Sequence, residues 1–189
     1  MMQFKNLTYS LLAFVLVIFT ASSLTAQDGN PRREVGIQFS SLDFDGSRSF
    51  SAFFKKQKKE NVYRRIRFFS GSLSARSFED TFIFDFSAGI AIGREKRKSL
   101  DPKLEFYQGP EFSIRLGLAT EDNVRVSIAP AFGWVLGLQH SFNNRWAVNL
   151  ETIPSLSITA NINNGIRPDV LLFGAGFNNS VSLGLVRKF

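Results

Sequence analysis

The chain has 189 residues, a formal net charge of +7, a single histidine and no cysteine. This length fits one domain, the lack of cysteine excludes a disulfide-stabilised scaffold, and the single histidine excludes a metal site built from several histidines. Phenylalanine occurs 21 times, which is more typical of lipid-facing strands and their aromatic girdles than of soluble cores.

The N-terminal segment, residues 1–26, has the three-part layout of a secretory signal peptide. Lys5 is followed by the apolar run Leu11–Phe19 and then by small and polar residues that end at Ala26. The apolar run is shorter than the roughly 20 residues that a membrane-spanning helix needs, so a cleaved signal is preferred to a membrane anchor. Cleavage leaves residues 27–189 as one domain with 22 basic and 16 acidic residues, a net charge of +6. Export also disfavours nucleic acid as a partner of this basic chain.

Two-residue alternation of apolar and polar side chains predicts the strands. The clearest case is Thr81–Glu95, in which the apolar residues Phe82, Phe84, Phe86, Ala88, Ile90 and Ile92 share one face. The other predicted strands are residues 34–44, 62–71, 104–118, 146–158 and 180–189. Residues 124–142 fit either one very long strand or a hairpin folded near Pro130–Gly133, and the hairpin is preferred.

The segments between these strands are predicted to be loops. Residues 46–61 form a long loop that contains the basic run KKQKKE, and residues 94–103 form a second basic loop. Residues 161–179 form a long final loop rich in Gly and Asn, in which Val170–Phe173 could add a short extended piece.

Counting the hairpin, the pattern gives eight strands and no amphipathic helix. Short connectors alternate with long ones, which is typical of outer-membrane barrels. The predicted fold class is therefore all-β, an antiparallel up-and-down transmembrane β-barrel. A soluble lipocalin-like barrel or sandwich is the alternative, and it would place the apolar face inward and polar residues around the outside.

Two C-terminal stretches resemble a known family. The segments VLGLQHSFNNRWAVNLE (Val135–Glu151) and SVSLGLVRKF (Ser180–Phe189) resemble the small OmpA/OmpX-type outer-membrane barrels and related barrel domains of Bacteroidetes-like bacteria. The resemblance implies a bacterial outer-membrane location. It also implies that Phe189 belongs to the signal that the barrel-insertion machinery reads, with periplasmic chaperones as further partners. The short link near Pro130 departs from the family pattern.

Charged residues on the inner face are expected to pair, because an eight-stranded barrel is only wide enough for side chains to fill. The candidate network comprises four arginines, Arg65, Arg67, Arg115 and Arg125, and four acidic residues, Asp85, Glu105, Glu111 and Glu151. A structural salt-bridge network is the preferred interpretation, and a gated polar path is the alternative.

The two basic loops are expected to lie outside one end of the barrel. Clustered Lys and Arg side chains bind phosphate by charge and hydrogen bonds, so membrane lipid and lipopolysaccharide are the expected partners. The candidate phosphate contacts are Lys55, Lys56, Lys58, Lys59, Arg94, Lys96, Arg97 and Lys98. A merely solvated pair of loops is the alternative. The expected function is structural, adhesive or ligand-binding, through these external loops.

A hydrolase is the alternative from a different functional class. Some outer-membrane lipid A deacylases use His, Ser and Glu on a barrel wall, and this chain has His140, Ser141 and Glu151. Adjacent residues of a strand point to opposite faces, however, so His140 and Ser141 are poorly placed as base and nucleophile. We therefore expect no enzymatic activity, no cofactor and no metal ion.

Overall fold

The computed structural model describes residues 33–39, 50–78, 81–120, 124–163 and 168–189, and the side chains of these residues apart from 71–83, 163–171, 173 and 175–180. The segment Arg32–Lys188 forms one compact unit. The predicted signal peptide, residues 1–26, lies outside the described residues and remains a prediction. Within the described ranges, no helix is long and apolar enough to cross a membrane.

Eight antiparallel strands form the barrel. They are β1 (Arg33–Phe39), β2 (Phe50–Lys59), β3 (Val62–Phe78), β4 (Thr81–Asp101), β5 (Leu104–Thr120), β6 (Val124–Ser141), β7 (Trp146–Asn163) and β8 (Pro168–Lys188). Each strand pairs with the next, and β1 pairs with β8, which closes the sheet into a ring. The prediction of an all-β, up-and-down barrel of eight strands is confirmed.

The predicted number of strands is right because two errors compensate. The segment predicted as a basic loop, residues 46–61, contains β2, which was missed. Along β2 the burial alternates, with Phe53 and Lys55 buried and Phe54 and Lys56 exposed. Because lysines occur on both faces, no alternation of polarity is visible in KKQKKE, and the strand was taken for a loop.

The second error is the predicted hairpin at Pro130–Gly133. Residues 124–141 form one continuous strand, β6. Pro130 pairs with Ile114 of β5, whereas the pairing with β7 is interrupted between Ile128 and Ala131. The proline therefore removes a donor from one ladder without turning the chain.

Two further segments are strand where loops were predicted. The second basic loop, residues 94–103, belongs to β4 as far as Asp101, and the final loop, residues 161–179, is largely β7 and β8. Gly and Asn disfavour strands intrinsically, but the long ladder between β7 and β8 overrides that preference. Of the predicted first strand, residues 40–44 lie outside the described part.

Three tight turns lie at one end of the barrel, and each has a local cause. Asn61, with φ of 58°, makes the turn between β2 and β3. The backbone N–H of Lys103 donates to Oδ1 of Asp101 (3.2 Å) between β4 and β5. Between β6 and β7, Oδ1 of Asn143 accepts from the N–H groups of Arg145 and Trp146, both at 2.8 Å. We call this end the turn end; β1 begins and β8 ends there.

The barrel is polar inside and apolar outside. The buried polar and charged side chains are Glu34, Gln38, Ser51, Lys55, Arg65, Glu95, Arg97, Glu111, Gln139, Asn149 and Glu151. In contrast, large apolar side chains point outward on every strand, among them Phe39, Phe54, Phe68, Ile92, Phe112, Phe132, Leu156 and Leu183. This arrangement is the opposite of the one that the soluble lipocalin-like alternative requires.

Inside, rings pack directly over glycines of the neighbouring strand. The ring of Phe53 lies against Gly36, and that of Tyr107 lies against Gly137. Any Cβ at either glycine would overlap the ring, so these glycines are needed for close approach.

Candidate functional site

The charges at the turn end are sorted by the two-residue alternation of β2, β3 and β4. Arg64 points outward and is exposed, while the next residue, Arg65, is buried. In the same way Arg94 and Lys96 are exposed, and Glu95 between them is buried. The sheet thereby produces two charged regions, one inside the barrel and one on its outer wall.

Arg65 lies at the centre of the inner region and contacts three carboxylates. Its guanidinium donates to Glu151 through two nitrogens, at 2.9 Å and 2.7 Å. Its Nε lies 3.0 Å from Glu111, and its Nη1 lies 3.5 Å from Glu95. Such bidentate, charge-assisted pairs hold both partners in a fixed geometry.

Arg97 is the second centre. It donates to Glu34 at 2.8 Å and 2.6 Å, again through two nitrogens, and to Glu95 at 2.9 Å and 2.6 Å. A further nitrogen contact, at 3.1 Å, reaches Glu105. The guanidinium carbon also stacks 3.9 Å from the centre of the Tyr63 ring, an arrangement that favours a cation.

Glu95 joins the two centres into one network. Besides both arginines it contacts Nζ of Lys55 at 3.0 Å, and that ammonium lies 4.2 Å from the centre of the Tyr107 ring. Tyr107 in turn donates to Glu151 (2.9 Å) and accepts from Asn149 (3.0 Å). We call the side chains that are linked by these contacts around Arg65, Arg97 and Glu95 the lumen network. It fills the inside of the barrel on the side of the turn end.

The other half of the lumen is more open. A cavity of about 330 Å³ lies there, bordered by Arg67, Arg115 and several serines of β5 and β7. Arg67 contacts Glu111 at 2.5 Å, which joins this cavity to the lumen network. The guanidinium carbon of Arg115 lies 5.4 Å from the centre of the Phe69 ring.

The structure brings together some of the residues that the sequence predicted for the lumen. Arg65, Arg67, Glu105, Glu111 and Glu151 belong to the connected set. Arg115 borders the cavity instead. Asp85 and Arg125 lie at the opposite end of the barrel, where both pair in register with Ala119.

Sequence reasoning missed Glu34, Glu95 and Arg97 as members of the lumen network. Glu95 and Arg97 continue the odd-numbered face of β4, to which Ala91 and Gly93 also belong. Glu95 already lies on the polar face of the alternating stretch Thr81–Glu95, and extending the alternation by two residues would have placed Arg97 inside as well. Glu34 has the same parity as the buried Gln38 on β1.

The prediction that all eight phosphate contacts lie in external loops is wrong. Lys55 and Arg97 are buried in the lumen network, because they fall on the inward face of β2 and β4. The remaining candidates, Lys56, Lys58, Lys59, Arg94, Lys96 and Lys98, are exposed. They lie on strands near the turn end and not in long loops.

Four of the outward cations lie side by side across four strands. Arg33 pairs in register with Lys56, Lys56 with Arg64, and Arg64 with Arg94. All four side chains are exposed, and none has a described carboxylate within ion-pair distance. We call Arg33, Lys56, Arg64 and Arg94 the basic row.

The three residues of the hydrolase alternative are not brought together. His140 is exposed on the outer wall, where its ring meets that of Phe142 edge to face at 5.8 Å. Ser141 accepts a hydrogen bond from Nζ of Lys188 (2.7 Å). Glu151 is buried inside the barrel with Arg65 and Tyr107. A base, a nucleophile and an orienting acid therefore do not line up here.

Two further predictions concern metal binding and membrane insertion. Within the described part of the chain, no group of three or more His, Cys, Asp or Glu side chains is arranged to hold a metal ion. Phe189 directly follows the last residue of β8. Its proposed role as an insertion signal is not visible in the folded barrel.

Comparisons with known proteins give likenesses of structure alone. No protein-family model matches the sequence, and no curated protein matches it. The crystal structure of Neisserial surface protein A is 12% identical, covers 83% of this chain and 94% of that chain, and has a TM-score of 0.44. The outer membrane protein Ail of Yersinia pestis in a phospholipid bilayer nanodisc is 15% identical, covers 84% and 99%, and has a TM-score of 0.40. The crystal structure of Ail, the attachment invasion locus protein, is 14% identical, with coverages of 83% and 96% and a TM-score of 0.36. Likeness at this level transfers no function.

Proposed function

We propose that this chain is an integral protein of the bacterial outer membrane, with a structural or adhesive role and no catalytic activity. The observation that carries the proposal is the distribution of polarity around the closed sheet. Phe112 and Phe132 are 56% and 53% exposed, and Leu156 is 62% exposed, while Arg65, Glu95 and Glu151 are fully buried. In water this arrangement would be costly on both faces, whereas a hydrocarbon surrounding suits it.

Closure of the sheet also suits the backbone to a hydrocarbon surrounding. β1 pairs with β8 over Glu34–Phe39 and Leu183–Lys188, so the first and last strands satisfy each other's backbone groups along that length. The strands β3 to β8 have at least 17 residues each, more than the roughly 9 to 11 that a tilted strand needs to cross a bilayer.

The turn end is proposed to face the periplasm, because outer-membrane barrels have their short turns on that side. This orientation changes the expected lipid partner. The exposed cations near the turn end would meet the phospholipid leaflet and not lipopolysaccharide. In the same proposal the chain is exported by its signal peptide, and Phe189 is read by the insertion machinery.

A structural or adhesive role is proposed for two reasons. The lumen network occupies the interior on the side of the turn end, which favours a sealed barrel over a conducting one. His140 and Glu151 lie on opposite sides of the barrel wall, which disfavours the hydrolase.

The membrane proposal is tested by expressing the chain with its N-terminal segment and fractionating the cells. We expect the protein in the outer-membrane fraction, released by detergent and not by high salt. The unheated protein should run faster than the boiled protein on a denaturing gel, as closed membrane barrels do. A monomer that stays in solution without detergent would overturn the proposal. Steady single-channel currents in a planar bilayer would overturn the sealed lumen alone.

A further inference from the structure

We infer that the outer wall at the turn end carries a binding site for an anionic phospholipid, with the lipid phosphate held between Arg64 and Arg94. The inference rests on the proposed function, since it requires a barrel surrounded by lipid. It narrows the expected phosphate contacts from eight residues in two external loops to one surface on β2, β3 and β4.

The first observation is the arrangement of the basic row. Directly opposed residues of antiparallel strands have Cβ atoms about 4.5–5.5 Å apart, and like charges in that position destabilise the sheet. Arg64 faces Lys56 on one side and Arg94 on the other. No described carboxylate offsets these charges, so an anion from the surroundings would relieve the repulsion.

The second observation is an apolar row on the same face, one outward position closer to the middle of the barrel wall. Ile66 pairs with Ile92, Ile92 with Phe112, and Phe112 with Phe132. Ile66 follows Arg64 by two residues, and Ile92 precedes Arg94 by two. The wall therefore changes from cationic to apolar along the direction of the strands.

The third observation is a groove of about 610 Å³ that spans this boundary. Its polar part is lined by Lys58, Lys59, Arg64 and Arg94, and its apolar part by Ile92, Phe112 and Phe132. Glu111 also borders the groove, but its carboxylate is held by Arg65 and Arg67 on the inside. The volume lies within the range of about 300–1,000 Å³ that is usual for small-molecule sites.

The chemistry of this surface fits one occupant. A phosphate group accepts hydrogen bonds from two guanidinium groups, and an acyl chain can lie over the isoleucine and the two phenylalanines. A free phosphate ion would leave the apolar part of the groove empty. A neutral zwitterionic lipid would leave the excess positive charge of the basic row uncompensated.

The test uses the folded protein purified in neutral detergent and offered equal amounts of phosphatidylglycerol and phosphatidylcholine. Bound lipid is counted by native mass spectrometry. We expect the unmodified protein to retain phosphatidylglycerol in preference. The double variant Arg64→Gln/Arg94→Gln should lose that preference by roughly 25-fold, since each cation near a lipid surface contributes about a factor of five. The preference should also weaken as salt is raised.

The matched control is Lys103→Gln/Arg145→Gln, which removes two exposed cations from turns at the same end. This variant should keep the preference. The proposed site is wrong if both double variants lose the preference for phosphatidylglycerol equally, or if neither variant loses it. It is also wrong if added inorganic phosphate displaces bound phosphatidylglycerol as effectively as added phosphatidylglycerol does. Lipopolysaccharide is offered in a separate competition against phosphatidylglycerol, and its retention in place of phosphatidylglycerol would equally overturn the site.

This outcome is separable from that of the membrane proposal. A heat-modifiable, detergent-requiring barrel without lipid preference would overturn only the site. A soluble monomer would overturn the membrane proposal, and the site with it.

Discussion

The cations on the inner and outer faces of β2, β3 and β4 differ in whether they pair with a carboxylate of the protein. Inside, Lys55, Arg65 and Arg97 each have a carboxylate within 3.0 Å. Outside, Arg64 and Arg94 face each other in register with no described carboxylate in contact. The difference shows where each charge must find its partner. A buried cation depends on the protein itself, whereas an outward cation depends on what surrounds the barrel.

The largest effect is expected from Arg65→Met. The substitution leaves Glu151 and Glu111 buried without their shared cation, and breaking a buried ion pair costs about 3–5 kcal/mol. The adjacent outward substitution, Arg64→Met, is the matched control and should change stability little. Urea unfolding in lipid vesicles, followed by tryptophan fluorescence, measures both. Equal losses in the two variants would show that the two faces do not differ in this way.

The next largest effect is expected from a substitution on the outer wall, away from the basic row. Leu156 lies near the middle of β7 and is 62% exposed. Leu156→Arg should reduce the free energy of unfolding in a bilayer by about 2–4 kcal/mol, the usual cost of a cation at the bilayer midplane.

Phe142 provides the control for that substitution, because it is 55% exposed but lies in the turn between β6 and β7. Phe142→Arg should be close to neutral, and unfolding of both variants in vesicles checks the difference. If Leu156→Arg were tolerated as well as Phe142→Arg, the outer wall would not be in contact with hydrocarbon.

A smaller effect concerns the coupling inside the lumen network. Removing Arg65 and Glu151 together should cost less than the sum of the single losses, because neither charge is then left alone. Coupling energies of residues in contact are about 0.5–3 kcal/mol. A double-mutant cycle with Arg65→Met and Glu151→Met measures the coupling by unfolding.

Glu34 supplies the comparison for this cycle, since it contacts Arg97 and Gln139 and no contact joins it to Arg65. A cycle of Arg65→Met with Glu34→Met should show a weaker coupling. Equal couplings in the two cycles would mean that the contacts described for Arg65 do not determine its energetics.

The smallest effect has the opposite sign. In neutral detergent, Arg64→Gln/Arg94→Gln should leave the barrel as stable as before or slightly more stable, by up to about 1 kcal/mol, because an unfavourable cross-strand pair is removed. The same variant should lose any stabilisation that anionic lipid gives the unmodified protein. Thermal unfolding in the two surroundings measures this reversal. A clear loss of stability in neutral detergent would indicate that Arg64 and Arg94 make favourable contacts with other groups of the protein.

The sequence predicted the fold class well because the outward residues of β4, such as Phe86, Ile90 and Ile92, alternate with small or polar ones. It failed where polarity does not distinguish the faces. On β2, Lys55 points inward and Lys56 outward, so no pattern is visible until the partner strands supply it. Proline was misleading for a different reason, since Pro130 interrupts only the pairing with β7.

The contacts of the candidate site could also be predicted only in part. Arg65 alternates with Ile66, and Glu151 alternates with Leu150, on short, regular stretches. Both could therefore be expected on the inner face and, inside a narrow barrel, in an ion pair. Glu34 and Arg97 are 63 positions apart, and their contact depends on closure of the ring between β1 and β8. Strand register is set by the pairing of the whole barrel, so it cannot be predicted from the sequence of a single strand.

The most direct measurement of the central claim compares labelling of two single cysteines in lipid vesicles, which is possible because the chain has no cysteine of its own. Leu156→Cys and Phe142→Cys are each exposed to a water-soluble maleimide. If the outer wall contacts acyl chains, the cysteine at position 142 reacts at once and the one at position 156 reacts only after unfolding. Equal and rapid labelling at both positions would contradict a lipid-facing wall.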